Sequence, residues 1–423
     1  MSDAPARRSW QRVVVLDPGL KDTRTHHHVL NRNLATRAAA LGIPLDVIAH
    51  RRARANDFAY RVIPTFMRGV YEDTPAIDDT SFAMLVTDQA RDISRVFGAA
   101  GPAAIVMHTV TAAGLHGLAA ALAGGGHDVK ALAVQFMFHP LSFSRDGGEA
   151  PRSMARYAAA LRSLRQVGDE RGVRIHLSTS CAEFADVFTR LGAGRVDLHP
   201  YALLAEADRP RWSVRRLAAS GSMSSGRPRV LLYGGDPKLD KGLGWVADAL
   251  PTLLDEQPDV EFVVHLGDNR FADPTLDAIR QRVLGSAARE RNLRVIEGHV
   301  APADWDTLFE SVDFLLIPYD PGAYRWKTSG VFWEALLKCH ANAMIVVTKD
   351  TWMEREARAA GLDVQAVGWG DTPMLGEMIR RMNRSPRVIT GACRHQLPCF
   401  ARGNDDYLLA TLAEFYGAGI TTQ

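Results

Sequence analysis

Twice along the chain, short β-branched apolar runs alternate with segments whose apolar residues fall at helical spacing. The first series starts at Arg12–Leu16, a buried-strand pattern, and Asp17-Pro18-Gly19 then turns the chain. Thr23–Leu41 places Val29, Leu30, Leu34 and Ala38 on one helical face, Gly42 closes it, and Ile43–Ala49 is the next strand. A strand–helix–strand unit of about 40 residues implies parallel pairing with a right-handed crossover. The alternation continues through strands at Ala103–Met107, Lys130–Phe138, Val173–Ser178 and Arg195–Leu198, with helices at Ala76–Phe97, Ala112–Ala123, Pro151–Arg171 and Ala182–Leu191. Such a series predicts a doubly wound α/β domain.

The alternation stops at Ala205–Pro228, where Ala218–Gly226 has no side chains able to build a core. It resumes with strands at Arg229–Tyr233, Val260–Leu266, Leu293–Ile296, Phe314–Ile317 and Ala343–Val347. Helices are expected at Gly242–Leu254, Thr275–Glu290, Pro302–Glu310, Trp352–Ala360 and Met374–Met382, and at the tail, Asp405–Tyr416. The expected organisation is a first Rossmann-like domain over residues 1–204, a linker over 205–228, a second Rossmann-like domain over 229–400, and a terminal helix within 401–423 packing back on the first domain. With 423 residues, two domains are the natural division.

Ligands of such sheets bind beyond the carboxyl ends of the strands, so the loops after strands carry the candidates, and two facing sheets would frame a cleft. The strongest candidate follows Phe314–Ile317. Pro318, Pro321 and Gly322 break regular structure, and Thr328, Ser329 and Gly330 stand where a helix begins. Free amides and the helix dipole make that end an anion site, although Ser or Thr there can equally be a plain cap. Glu334, about one turn inside, is placed to accept from ribose hydroxyls. Gly234–Lys241 puts two glycines, then Lys238 and Lys241, after a strand, which is a phosphate cradle without the ending of a Walker loop. Gly298-His299-Val300 leaves room for a flat base. In the first half, Gly19 precedes His26–His28, and His108 and His139 each stand just past a strand.

Bulk numbers exclude several classes. A formal net charge of +2 supplies no global field for nucleic acid, and the longest apolar runs fall far short of a membrane span. The N-terminus lacks an apolar signal core, and Cys181, Cys339, Cys393 and Cys399 form no C-x-x-C pair, which predicts free thiols in the cytoplasm. Arg51, Arg52, Arg54 and the Arg209–Arg216 cluster suit either peripheral contact with the inner membrane face or plain solvation.

These motifs together resemble the GT-B glycosyltransferases, in particular the large retaining family with two glutamates eight positions apart. Y-G-G-D-P-K-L-D-K-G is similar to that family's donor-domain opening at Gly235, Lys241 and Gly242. Gly298-His299-Val300 resembles its mid-domain G-x-V, and K-T-S-G-V-F-W-E-A-L its Ser-Gly and E-A-L segment. Gly19 with His27 or His28, and Phe138-His139, resemble its first-domain loops.

The resemblance implies two Rossmann-like domains facing across a cleft and metal-independent transfer, with retention, from a nucleotide diphosphate sugar to a glycan or lipid-linked acceptor. No cofactor beyond that co-substrate and no metal are implied. It casts His139, Lys241 and Glu334 in catalysis, and Gly19, Gly235, Lys238, Gly298, His299, Tyr324, Thr328, Ser329 and Gly330 in donor binding. His27, His28 and His108 would serve the acceptor. Two positions depart from the family pattern. Asp236 stands where an arginine is usual, and Trp326 where the first glutamate belongs. They keep open an epimerase or phosphorylase on the same fold, or a non-catalytic scaffold.

Overall fold

The structure is a computed structural model that describes residues 12–198 and 227–384, apart from 24, 41, 75, 102, 143–148, 269–272, 340–342 and 360. The chain divides into two compact units. The expected terminal helix, and all but the last two residues of the expected linker, lie outside the described residues.

The first unit runs β1 (Arg12–Asp17), α1 (His26–Ala40), β2 (Leu45–His50), β3 (Val62–Phe66), α2 (Asp79–Ala100), β4 (Ala103–Met107), α3 (Ala112–Ala123), β5 (Val129–Phe136), α4 (Glu149–Arg171), β6 (Arg174–Thr179), α5 (Ala182–Phe188) and β7 (Asp197–Leu198). Its seven strands are ordered β3-β2-β1-β4-β5-β6-β7 and every pair is parallel. Parallel strands covered on both faces read as unbroken apolar runs, and Val13 to Leu16 are all buried. Val13, Val15, Val47, Ala104 and Val106 belong to one core with Leu34 and Ala38 of α1. Helix starts follow local chemistry: Asp78 caps α2 by accepting from Ser81 N at 2.8 Å, and Thr111 caps α3 by accepting from Gly114 N at 3.3 Å.

The second unit runs β8 (Arg229–Tyr233), α6 (Leu243–Glu256), β9 (Glu261–Leu266), α7 (Pro274–Ala287), β10 (Leu293–Glu297), α8 (Pro302–Ser311), β11 (Phe314–Ile317), α9 (Gly330–Lys338), β12 (Met344–Thr348), α10 (Trp352–Ala359), β13 (Gln365–Val367) and α11 (Thr372–Arg384). Its parallel sheet is ordered β10-β9-β8-β11-β12-β13. Val230, Leu232, Phe262, Val264, Phe314, Leu316 and Val346 fill its core.

In each unit the chain winds outward from a central strand to one edge, returns to the middle, and winds to the other edge. The reversal falls beside β1 and β4 in the first unit and beside β8 and β11 in the second. At such a switch point two neighbouring loops diverge and leave a crevice above the strand ends. The strands β3 and β13 are additions to the sequence reading. Both are edge strands: β3 carries Pro64, and β13 spans only 3 residues. Cys181 and Cys339 are buried free thiols, while the other two cysteines lie outside the described residues. No helix among the described residues is long and apolar enough to cross a membrane.

Candidate active site

The second unit's crevice is built by the loops after β8 and β11. Gly242 joins them. It has φ +80°, and a Cβ there would overlap the carbonyl of Pro318, the first residue after β11. Only glycine meets both demands, the left-handed backbone and the close approach. Asp320 N donates to Asp240 O at 2.9 Å, completing the seam. Lys241, immediately before Gly242, is thereby held over this junction. Its Nζ lies 5.9 Å from the centre of the Tyr319 ring, and the Tyr319 hydroxyl hydrogen-bonds with Ser329. The loops expected to bind one ligand therefore meet around one tyrosine.

Ser329 is the N-cap of α9, its Oγ accepting from Phe332 N at 3.2 Å. Gly330 opens the helix and Thr328, half-buried, precedes it. Tyr324 is buried against Tyr319 with ring centres 4.2 Å apart, and Lys327 reaches Asp240 at 3.2 Å. Lys238 and Lys241 thus stand with Lys327 opposite Asp236 and Asp240. Burial depresses the pKa of Lys238 and of Lys241, while the two aspartates oppose the shift.

The neighbouring strands are tied in by His265, which the sequence reading missed inside the apolar run of β9. Gly235 N donates to its Nδ1 at 3.1 Å, and its Nε2 donates to Gly298 O at 2.9 Å. The two bonds fix the tautomer and lock the loop after β8 to the loop after β10. Burial lowers the pKa of His265. Trp305 of α8 stacks edge-on against His265 at 5.1 Å and donates its indole N–H to Glu334 Oε2 at 2.7 Å. Gly235, Lys241, Gly298, Tyr324, Ser329 and Glu334 are thus gathered around Tyr319, His265 and Trp305, and Lys238 N donates to the Tyr233 hydroxyl at 3.2 Å. His299 is exposed next to Gly298. Trp326 is flanked by Arg325 and Arg355, whose guanidinium carbons lie 5.2 and 5.4 Å from its ring centre.

The first unit's switch point holds a buried acid. Asp17, read from sequence only as part of a turn, ends β1 and is fully buried. Its Oδ1 accepts from Gly19 N at 3.0 Å and lies 2.7 Å from His27 Nδ1, and its Oδ2 accepts from Asn31 at 2.5 Å. His108, just after β4, lies 3.4 Å from Oδ2 and 3.1 Å from Asn31 Oδ1, and its Nδ1 is 2.9 Å from the Thr109 hydroxyl. Burial alone would raise the pKa of Asp17, but His27, His108 and Asn31 together hold it far below the usual carboxylate range. Burial pulls His108 down to about 4, against the attraction of Asp17. Gly19 is required here because a Cβ would overlap the His27 ring.

His27 and His108 are buried, and what the network extends toward solvent is Tyr71, its hydroxyl 3.1 Å from His27 Nε2. His28 stands apart, stacked on Tyr60 and bonded to its hydroxyl at 3.1 Å. His139 is buried after β5, its Nδ1 accepting from Leu141 N at 3.1 Å. Asp17, His27 and His108 present donor atoms within 4.8 Å of one another, a spacing that suits a metal ion. N–H donors already occupy both oxygens of Asp17, so a hydrogen-bonded network accounts for the group as it stands.

No protein-family model and no curated protein sequence match this chain. Solved structures do. A UDP-forming α,α-trehalose-phosphate synthase from Burkholderia xenovorans is similar with TM-score 0.64 at 14% identity, over 97% of this chain and 100% of that one. The chain has the GT-B fold. The E. coli trehalose-6-phosphate enzyme bound with UDP-2-fluoro glucose gives TM-score 0.63 at 10% identity, over 97% and 100%. A B. xenovorans synthase in complex with glucose-6-phosphate gives 0.62 at 13%, over 96% and 99%. Coverage of both chains nearly end to end means that both GT-B units are present.

Proposed function

We propose that the protein transfers a sugar from a nucleoside diphosphate sugar to an acceptor hydroxyl, without a metal and with retention. The observation that carries this reading is the meeting of Lys241 and the N-cap of α9 at Tyr319, above the switch point of a parallel sheet. A leaving diphosphate needs fixed positive charge where its own charge develops. Lys241, Lys238 and the first amides of α9 are that charge, and they need no reorganisation during the reaction. Glu334, oriented by Trp305, holds the ribose hydroxyls. Gly298 and His299 border the base, and Tyr324 and Thr328 complete the wall. His27 and His108 act on the acceptor through Tyr71.

The similar structures hold UDP-2-fluoro glucose and glucose-6-phosphate, in keeping with a nucleotide sugar donor and a sugar acceptor. The test is a thermal-shift panel of UDP-, GDP-, ADP- and dTDP-glucose, followed by transfer assays with the donor that stabilises. Lys241→Ala and Glu334→Ala should each lower transfer by ~10²-fold. Unchanged turnover in both would remove the mechanism, and stabilisation by no nucleotide sugar would leave the scaffold reading.

A further inference from the structure

The transferase reading uses Lys238, Lys241 and the first amides of α9, and it leaves two cations at neighbouring strand ends without a role. Arg325 lies in the loop after β11, is exposed, and has no ion-pair partner among the described residues. Arg355 belongs to α10, which follows β12. Its Nη1 donates to Asp350 O at 3.3 Å and its Nη2 donates to Arg325 O, so one side chain ties the loop after β12 to the loop after β11. Trp352 N donates to Tyr324 O at 2.9 Å and closes the same seam. Trp326, half-buried, sits between the two guanidinium groups, whose carbons lie 5.2 and 5.4 Å from the centre of its ring.

This seam is held in a strained shape. Asp350 has φ +63°, and among the described residues it is the one non-glycine in the left-handed region. Its amide donates to Glu354 Oε2 at 2.7 Å, and Glu354 Oε1 pairs with Arg358 at 2.8 Å, so that acid is committed elsewhere. Backbone strain persists only where the surroundings over-determine it, and ligand clamps are one such place. Here the strained residue supplies the carbonyl that fixes Arg355. Two guanidinium ions set on one indole repel each other, and an anion between them replaces repulsion with attraction.

Strand order says what that anion belongs to. The sheet runs β10-β9-β8-β11-β12-β13. In the proposed function Gly298, after β10, borders the base, and the diphosphate lies between the loops after β8 and β11. A nucleoside diphosphate sugar is linear, base then ribose then diphosphate then sugar, so a donor laid across the strand ends carries its sugar on toward β12. Trp326 is three residues before the cap Ser329, no more than about 11 Å along the chain. A neutral hexose offers the two arginines hydroxyls alone. A carboxylate accepts from a guanidinium in two-pronged geometry, and such charge-assisted bonds are about twice as strong as neutral ones. We propose that the donor is a nucleoside diphosphate uronic acid, its sugar carboxylate held by Arg325 and Arg355 beside Trp326. This rests on the transferase reading and narrows it.

The experiment titrates the full chain calorimetrically with two matched pairs, UDP-glucose with UDP-glucuronate and GDP-mannose with GDP-mannuronate. For the base that binds, the uronate should bind about tenfold tighter than its neutral partner, and raising the salt should shrink that advantage. Arg325→Gln removes an exposed charge and no backbone anchor, and should cut the advantage about threefold. Arg325→Glu adds repulsion and should cut it further. Arg355→Gln also frees two carbonyls, so Arg325 carries the test. A uronate advantage that falls in this order supports the assignment. Equal or tighter binding of the neutral sugar, or a uronate advantage indifferent to Arg325, overturns it and leaves the transferase standing. Binding of no member of either pair removes the donor site, and the inference falls with the reading it rests on.

Discussion

Acidification should destabilise the first unit through His108, and the size of the effect follows from its burial. The folded pKa is about 4, pulled down from an ordinary value of 6.5. The unfolded chain therefore binds the extra proton between those two values, so stability is fully present above pH 6.5 and is lost as pH falls toward 4. Between pH 7.5 and pH 5 the loss assigned to this one ring is about 2 kcal/mol by linkage. Asp17 does not blur that window, because its folded pKa lies below its ordinary value and its contribution is lost only at more acidic pH. The assay is urea denaturation at both pH values, followed by hydrogen exchange at peptides from β1 and β4, since the two units need not unfold together. His108→Gln removes the titration and keeps a polar group beside Asn31. The wild type should lose about 2 kcal/mol more than the variant on going from pH 7.5 to pH 5. Equal losses would mean that His108 is not held neutral by burial, and would undo this account of the Asp17 network.

Other consequences concern the donor crevice and the metal question. Gly242→Ala should destabilise the second unit by more than ~2 kcal/mol, because left-handed strain adds to overlap with the Pro318 carbonyl; tryptophan fluorescence in urea reads it. Trp305→Phe keeps the ring and removes the N–H to Glu334, so KM for the donor should rise about tenfold, in line with losing a hydrogen bond to a charged group; an unchanged KM would take Glu334 away from the ribose. Gly19→Ala should displace His27 and destabilise the first unit, because a Cβ there would overlap the His27 ring; urea denaturation reads it. Chelation with EDTA should leave transfer unchanged; loss restored by zinc would turn Asp17, His27 and His108 into metal ligands.

Most of the layout was legible because parallel strands buried on both faces are unbroken apolar runs. Ala103–Met107, Ala112–Ala123, Arg229–Tyr233 and Phe314–Ile317 have the bounds expected from pattern alone. The edge strands β3 and β13 escaped because one contains a proline and the other is too short to show a period. Among the residues gathered at the two switch points, those with loop chemistry were legible: glycines after strands, lysines after glycines, a Ser-Gly at a helix start. Those that act by connecting were not. His265 lies within a buried strand and reads as core, Trp305 reads as an amphipathic helix residue, and Asp17 reads as a turn former. Nothing local distinguishes a histidine that pins two loops from one that fills space, since the distinction lies in partners 30 and 33 residues away.

The two units use their equivalent switch points in opposite ways. Beside β8 and β11 the groups are Lys238, Lys241 and the amide end of α9, which suit an anion. Beside β1 and β4 they are one buried carboxylate with two imidazoles on it, which suit a proton. A lysine ammonium placed beside Asp17 would quench the acid, and a carboxylate placed at the N-terminus of α9 would compete with the diphosphate. Placing each at its own sheet's reversal gives each a rigid scaffold and a dielectric of its own. Moving charge from one to the other is then the sharpest test of the division. Lys241→Glu should abolish donor protection outright, more severely than Lys241→Ala, because it adds repulsion to the loss of attraction. If the two substitutions weaken the donor equally, the crevice beside β8 and β11 does not bind an anion.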